Sequence, residues 1–313
     1  MRKRQLKGAG GHYLIAVNQQ AGQFSDRLLR RLTGAIRSQG SHYTVIEPAS
    51  AADLGATARE YCGLAKAARP APPPVAKRGR VTALVAAGGD GTVNALAAVA
   101  LEADLPMGIL PMGQANNIAR SLCSHGDFRA AVDAIINRKY RPIDVVRSGE
   151  RVVVGSLALG LVPSLQRQLA GKGAPRFAFR WSAIAARAAA AVEPLRFTLK
   201  LDAFRFPIEA KMFSINLLAY GLGLPLSPAS LSDDGEMEII FDARCSDRDL
   251  GRYIRDVYKG KYVYGSAVRL YRGAYLNFNP GKAQPALLDG DLVELPAQEY
   301  NFRISPTRLN LFC

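Results

Sequence analysis

Gly88-Gly89-Asp90-Gly91-Thr92 lies between an apolar run and a helix-forming segment. Glycines at such a junction let the backbone approach an anion closely, and the N–H groups of a starting helix favour phosphate. A carboxylate in that place is repelled by phosphate unless a cation intervenes, so Asp90 points to Mg²⁺ or to a water bridging to it. The competing reading is a purely structural turn. Further proton-transfer chemistry falls to carboxylates, because the chain has only three histidines (His12, His42, His125) in no metal-ligand spacing. A zinc enzyme or a histidine-dependent hydrolase is therefore not expected. Four scattered cysteines (Cys62, Cys123, Cys245, Cys313) form no C-x-x-C pair, which fits reduced thiols in a cytosol-like compartment. Taken alone, Asp289-Gly290 reads as an ordinary hairpin turn.

The elements that must position these residues alternate in the first half. Apolar runs at 13–17, 43–46, 81–86 and 107–110 read as buried strands. Helical patterns follow from Ser25, from Ser50 (an N-cap with Asp53 three residues on) toward Ala68, from about Val93, and near 116–122 and 127–137. A proline-rich connector with Lys77, Arg78 and Arg80 interrupts this order at 70–74. Beyond about Pro142 the period changes to two: Leu195, Phe197, Leu199 and Leu201 alternate with Arg196, Thr198, Lys200 and Asp202. Strand-like segments recur at 212–219, 237–241, 268–271, 275–278, 300–304 and 308–312. The expectation is an α/β domain with a parallel sheet over residues 11–141, then a mostly antiparallel β-sandwich over 142–305.

Among 313 residues, 41 Lys and Arg against 26 Asp and Glu leave a formal charge of +15, which calls for an anionic partner. No apolar stretch reaches the roughly 18 residues of a membrane span, and no apolar run follows the basic residues 1–7 as a signal peptide requires. The expected setting is cytoplasmic, with peripheral membrane association. Residues 151–192 lack any acid while carrying Arg151, Arg167, Lys172, Arg176, Arg180 and Arg187, interleaved with Leu165, Leu169, Phe177, Phe179, Trp181 and Ile184. This stretch reads either as a core-packed helix with a solvated basic face or as an interfacial element against anionic lipid. Nucleic acid is not expected as a partner, since no recognisable module accompanies the charge.

Gly88–Thr92 together with Pro111-Met112-Gly113-Gln114-Ala115-Asn116-Asn117-Ile118-Ala119-Arg120 resembles the lipid kinases related to diacylglycerol kinase and sphingosine kinase. Asn18 with Gly22 is similar to that family's first loop, with Gln19 at its proline. Pro228 to Gly235 resembles its P-x-A-x-x-x-D-G segment, and Leu288-Asp289-Gly290-Asp291 its late D-G-E. The resemblance implies transfer of the γ-phosphoryl group of ATP, with Mg²⁺, to a lipid hydroxyl, the lipid entering a cleft between domains. It implies nucleotide contacts at Asn18, Gly22, Gly88, Gly89, Asp90, Gly91, Thr92, Asn94, Gln114, Asn116 and Asn117. It implies a structural Mg²⁺ on Asp234, Glu236 and the Leu231 carbonyl, and Asp291 as proton acceptor helped by Asp289. It further implies that the strand near 306–313 returns to the first domain, and it leaves a homodimer open. Gln114 stands where the family has threonine, Asn117 where it has an aspartate of the metal–water network, and Asp291 where it has glutamate. An NAD kinase-like enzyme and a catalytically weakened lipid- or nucleotide-binding protein remain the alternatives.

Overall fold

A computed structural model describes residues 4–5, 10–64, 79–122, 127–171, 174–261 and 268–313. The proline-rich connector with Lys77 and Arg78, and Cys123, His125 and Lys172, lie outside the described residues. The chain divides into two compact units: Met1–Asp144 with Pro306–Cys313, and Val145–Ser305.

The first unit is built on a sheet whose strand order is β1 (Arg4–Gln5), β6 (Lys139–Ile143), β19 (Leu309–Phe312), β5 (Met107–Pro111), β4 (Ala83–Gly88), β2 (His12–Val17) and β3 (His42–Ile46). β3, β2, β4, β5 and β19 run parallel, and β6 and β1 antiparallel. Every residue of β2, β4 and β5 is buried, the signature of central strands covered on both faces. Helices α1 (Asp26–Ser38), α2 (Ala51–Cys62), α3 (Asp90–Ala103), α4 (Asn117–Leu122) and α5 (Phe128–Asn137) make the crossovers. Ser50 caps α2, its Oγ accepting from Asp53 N at 3.1 Å. That helix ends at Cys62 rather than running toward Ala68, because Gly63 adopts the left-handed conformation at φ 73° and closes it. α3 begins at Asp90, three residues earlier than its apolar pattern suggests, since Val93 N already donates to Gly89 O. The chain steps from β2 to the edge strand β3 and then back across β2 to β4. This reversal places the switch point beside the carboxyl ends of β2 and β4, where open α/β sheets bind ligands.

In the second unit all strand pairs are antiparallel. One sheet orders β11 (Phe204–Ala210), β10 (Leu195–Leu201), β15 (Tyr275–Phe278), β18 (Tyr300–Ile304), β7 (Val146–Ser148) and β8 (Arg151–Val153). The other orders β14 (Val268–Gly273), β13 (Met237–Asp242), β12 (Met212–Asn216), β9 (Ser156–Gly160), β16 (Gln284–Leu288) and β17 (Asp291–Leu295). The alternation in β10 buries Leu195, Phe197, Leu199 and Leu201 and exposes Arg196, Thr198 and Lys200. Phe197 of the first sheet meets Phe213 of the second edge-on at 5.2 Å, and Phe213 meets Phe278 at 5.3 Å, so aromatic rings close the sandwich.

Three helices, α6 (Leu161–Leu169), α7 (Ala178–Ala190) and α8 (Asp247–Tyr258), bury Leu165, Trp181, Ala185, Leu250 and Ile254 in one cluster with Met212 and Ile240 of the second sheet. α7 and α8 approach closely at Gly251, where an added Cβ would lie 2.6 Å from the Ser182 carbonyl oxygen. Residues 151–192 are thus not one amphipathic helix but β8, β9, α6 and α7. Leu165 and Trp181 are buried and Leu169 and Ile184 pack against them, whereas Phe177 and Phe179 remain exposed.

Phe213 has no exposed surface and bridges the two sheets. Phe213→Ala is expected to cost about 3–5 kcal/mol in urea unfolding. A loss below about 1 kcal/mol would mean that this ring does not couple the sheets.

Candidate functional site

Three loops meet at the carboxyl ends of β2, β4 and β5. Gln23 N donates to Met112 O at 2.9 Å and Met112 N to Gly88 O at 3.0 Å, which lashes the loops after β2 and β4 to the loop after β5. The closest approach is glycine on glycine: a Cβ on Gly113 would sit 2.4 Å from the Gly89 Cα. A Cβ on Gly88 would strike the Thr92 side chain at 2.3 Å, so both positions require glycine for space. Asn116 takes a left-handed φ of 49°, which asparagine tolerates, and its side chain brackets Gly113 by accepting from its N and donating to its O, both at 2.8 Å. Asn18 closes the first loop, its side-chain oxygen accepting from Gln20 N at 3.0 Å. Gly22 lies beside Gln114, whose side chain is exposed, while Thr92 is buried and Asn94 half-buried one turn into α3. The structure therefore brings Asn18, Gly22, Gly88–Thr92, Gln114, Asn116 and Asn117 to one end of one sheet. Gly113, quoted in the motif but not counted as a site residue, is the steric condition for that convergence.

Asp90 is buried as the first residue of α3. Its carboxylate is 8% exposed and accepts from Asn117 N at 2.9 Å, Asn117 Nδ2 at 3.0 Å and Ile118 N at 2.9 Å. Three N–H donors satisfy the buried charge, so Asp90 pins the start of α4 to the start of α3. With aspartate at 117, two carboxylates would face each other and demand a cation; Asn117 supplies an N–H donor in that place.

In the second unit Asp289 and Gly290 form the two-residue turn between β16 and β17, with positive φ at both residues. The Asp289 side chain reaches back into the β8–β9 turn, accepting from Val154 N at 2.8 Å, Gly155 N at 2.7 Å and Ser156 N at 2.8 Å. At 3% exposure and with three N–H donors, it fixes the backbone of the β8–β9 turn. Asp291 follows it as the first residue of β17. Its surface is open to solvent, yet the surrounding protein desolvates the carboxyl enough to push its pKa above the ordinary aspartate value.

The expected metal ligands Asp234 and Glu236 also meet a cation of the chain's own. Arg272 Nη2 bonds Asp234, Nη1 lies 3.4 Å from Glu236 and Nε 3.8 Å from Glu238. Leu231 is 56% exposed, and among the described residues no His, Cys, Asp and Glu group has the arrangement of a metal site. A divalent ion does not fit these residues as they stand, because a guanidinium already occupies the approach to the carboxylates. Arg272 gave no local signal: it faces Glu238 only through the register of β14 on β13.

The Asp90–Asn117 contact can be tested by restoring the carboxylate pair. Asn117→Asp is expected to lower the unfolding temperature in the presence of a chelator, with Mg²⁺ recovering part of the loss. An unfolding temperature equal to wild type in both conditions would contradict the contact's role.

The diacylglycerol kinase catalytic domain matches the sequence over residues 12–148. The YegS C-terminal NAD kinase beta sandwich-like domain matches over 159–313. A diacylglycerol kinase of Staphylococcus haemolyticus is 26% identical over 231 residues, covering 70% of this chain and 68% of its own. A protein of Chromohalobacter salexigens described as "Probable lipid kinase YegS-like" is 24% identical over 310 residues, 94% of this chain and 89% of its own. The crystal structure of a diacylglycerol kinase from Bacillus anthracis matches with a TM-score of 0.68 at 16% identity over 98% of both chains, a likeness of fold. Two family domains in sequence order over nearly the whole length, with relatives of the same kind, place this chain in the diacylglycerol kinase and YegS-like family of lipid kinases.

Proposed function

We propose that this lipid kinase transfers the γ-phosphoryl group of ATP to a hydroxyl of a diacylglycerol- or sphingosine-like lipid. The observation that carries the reading is the glycine-on-glycine approach of Gly89 and Gly113, pinned by Asp90. It leaves a side-chain-free backbone surface at the start of α3, suited to phosphate oxygens. Asn116 and Asn117 keep that surface in shape, and Gln114 and Gly22 border it. Mg²⁺ would travel with the ATP phosphates, offsetting their charge and orienting them.

The acceptor hydroxyl must lose a proton as it attacks. Asp291 is the carboxylate fitted to take it, because its raised pKa brings its basicity nearer to neutral pH. Asp289 fixes the turn from which Asp291 projects.

The substrate's home is the second part of the proposal. Among the described residues no helix is long and apolar enough to cross a membrane. Phe177 and Phe179, 57% and 67% exposed, stack at 5.8 Å where α7 begins, between the exposed Arg176 and Arg180. The segment is tied down: Tyr258 OH donates to Arg176 O at 2.8 Å and Trp181 Nε1 to Pro175 O at 3.1 Å. Paired aromatic rings flanked by arginines suit the interface of an anionic bilayer.

Radiolabelled ATP offered with diacylglycerol, sphingosine and NAD together should label lipid. Label entering NAD, or none at all, would contradict the reading. Asp291→Asn should reduce kcat by about 10²–10⁴. Because the Asp291 pKa is raised, the base is protonated in acid. Wild-type kcat/KM should therefore fall as pH drops, along a limb lying above the ordinary aspartate value of about 3.9. That limb should vanish in Asp291→Asn; its persistence would remove Asp291 as the base.

Binding to anionic vesicles should weaken with salt and exceed binding to neutral ones. Arg176→Glu with Arg180→Glu, and separately Phe177→Ser with Phe179→Ser, should each reduce it more than Arg30→Glu with Arg31→Glu on the exposed side of α1. Equal losses from all three double variants would show that the segment is only a solvated face.

A further inference from the structure

We infer that Arg272 is the built-in cation of the second unit, holding the loop before β13 where a divalent ion would otherwise be needed. The loop over residues 227–236 carries Asp234 and Glu236, and Glu238 follows inside β13. Glu238 is 2% exposed; one of its oxygens accepts from the Ser227 and Ser230 hydroxyls, the latter at 2.8 Å. Its other oxygen lacks a hydrogen-bond donor and faces Arg272 Nε at 3.8 Å. A buried carboxylate in that condition depends on a nearby positive charge. The guanidinium meets the need while its two outer nitrogens reach Asp234 and Glu236, so one planar group touches three carboxylates. Glu238 and Arg272 are direct cross-strand partners of β13 and β14, which fixes the cation by sheet register rather than by loop conformation. Glu236 N also donates to Asp234 at 3.1 Å, closing the turn around the ion pair.

The consequence is a second unit whose stability does not depend on divalent metal. It is independent of the kinase reading, since it concerns folding and can hold or fail whatever the protein phosphorylates. The test uses the full chain without nucleotide, following thermal unfolding in chelator and in millimolar Mg²⁺, for wild type, Asp234→Asn and Arg272→Met. The Mg²⁺-induced shift should be the same in wild type and Asp234→Asn, so that none of it belongs to this site. A wild-type shift that disappears in Asp234→Asn would overturn the inference. Arg272→Met should lower the unfolding temperature in chelator by roughly 4–8 °C, and Mg²⁺ should restore part of it in this variant alone. Unfolding of Arg272→Met at the wild-type temperature in chelator would overturn it as well. If Arg272→Met does not fold, the comparison of wild type with Asp234→Asn still decides.

Discussion

A carboxylate removed from water has to find positive charge or N–H donors, and most of this protein's local architecture follows from how three of them do so. Asp90 takes three N–H groups from Asn117 and Ile118, Asp289 takes three from residues 154–156, and Glu238 takes two hydroxyls and leans on Arg272. Each costs several kcal/mol to bury alone and becomes favourable only with its donors in place. Each therefore fixes the donors' backbone. In the first unit this sets the separation of α3 and α4, hence the closeness of Gly89 and Gly113. In the second it locks the β16–β17 turn onto the β8–β9 turn and the 227–236 loop onto β14.

The same requirement explains why the site residues fall into two kinds. Asp90, Asp289 and Asn117 shape backbone; their polar atoms are engaged inside the protein. Asp291 and Gln114 instead keep their side chains at the surface. Asp291 is partly desolvated by the surrounding protein and so holds its proton more tightly than an ordinary aspartate. Two aspartates separated by a single glycine thus meet different surroundings, Asp289 enclosed by N–H donors and Asp291 open to solvent.

What could be read from the sequence was whatever is local. The apolar runs of β2, β4 and β5, the period-two pattern of β10 and the Ser50 cap each follow from neighbours a few residues apart. So did the glycine loop and the Pro111–Arg120 segment, whose internal brackets span three residues. The short strands β7, β8, β9, β16 and β17 were not read, because runs of three to five residues carry too little pattern to separate them from loops. α8 carries a capping box of Ser246 and Asp249, but its apolar positions are sparse among six charged residues, too few to read as a helical stripe. The roles of Asp289 and Arg272 were out of reach in principle. Their partners lie as far as 135 and 38 residues away and meet only once the sheets are registered.

Under the proposed function, the loops ending β2, β4 and β5 form a phosphate cradle held in shape by Asp90. Hydrogen exchange of the intact protein, with and without MgATP, measures this most directly. Amides of residues 88–94 and 113–118 should exchange more slowly with the nucleotide bound, while those of the β10–β11 hairpin should not change. Unaltered exchange at 88–94 and 113–118 under saturating MgATP would contradict the account.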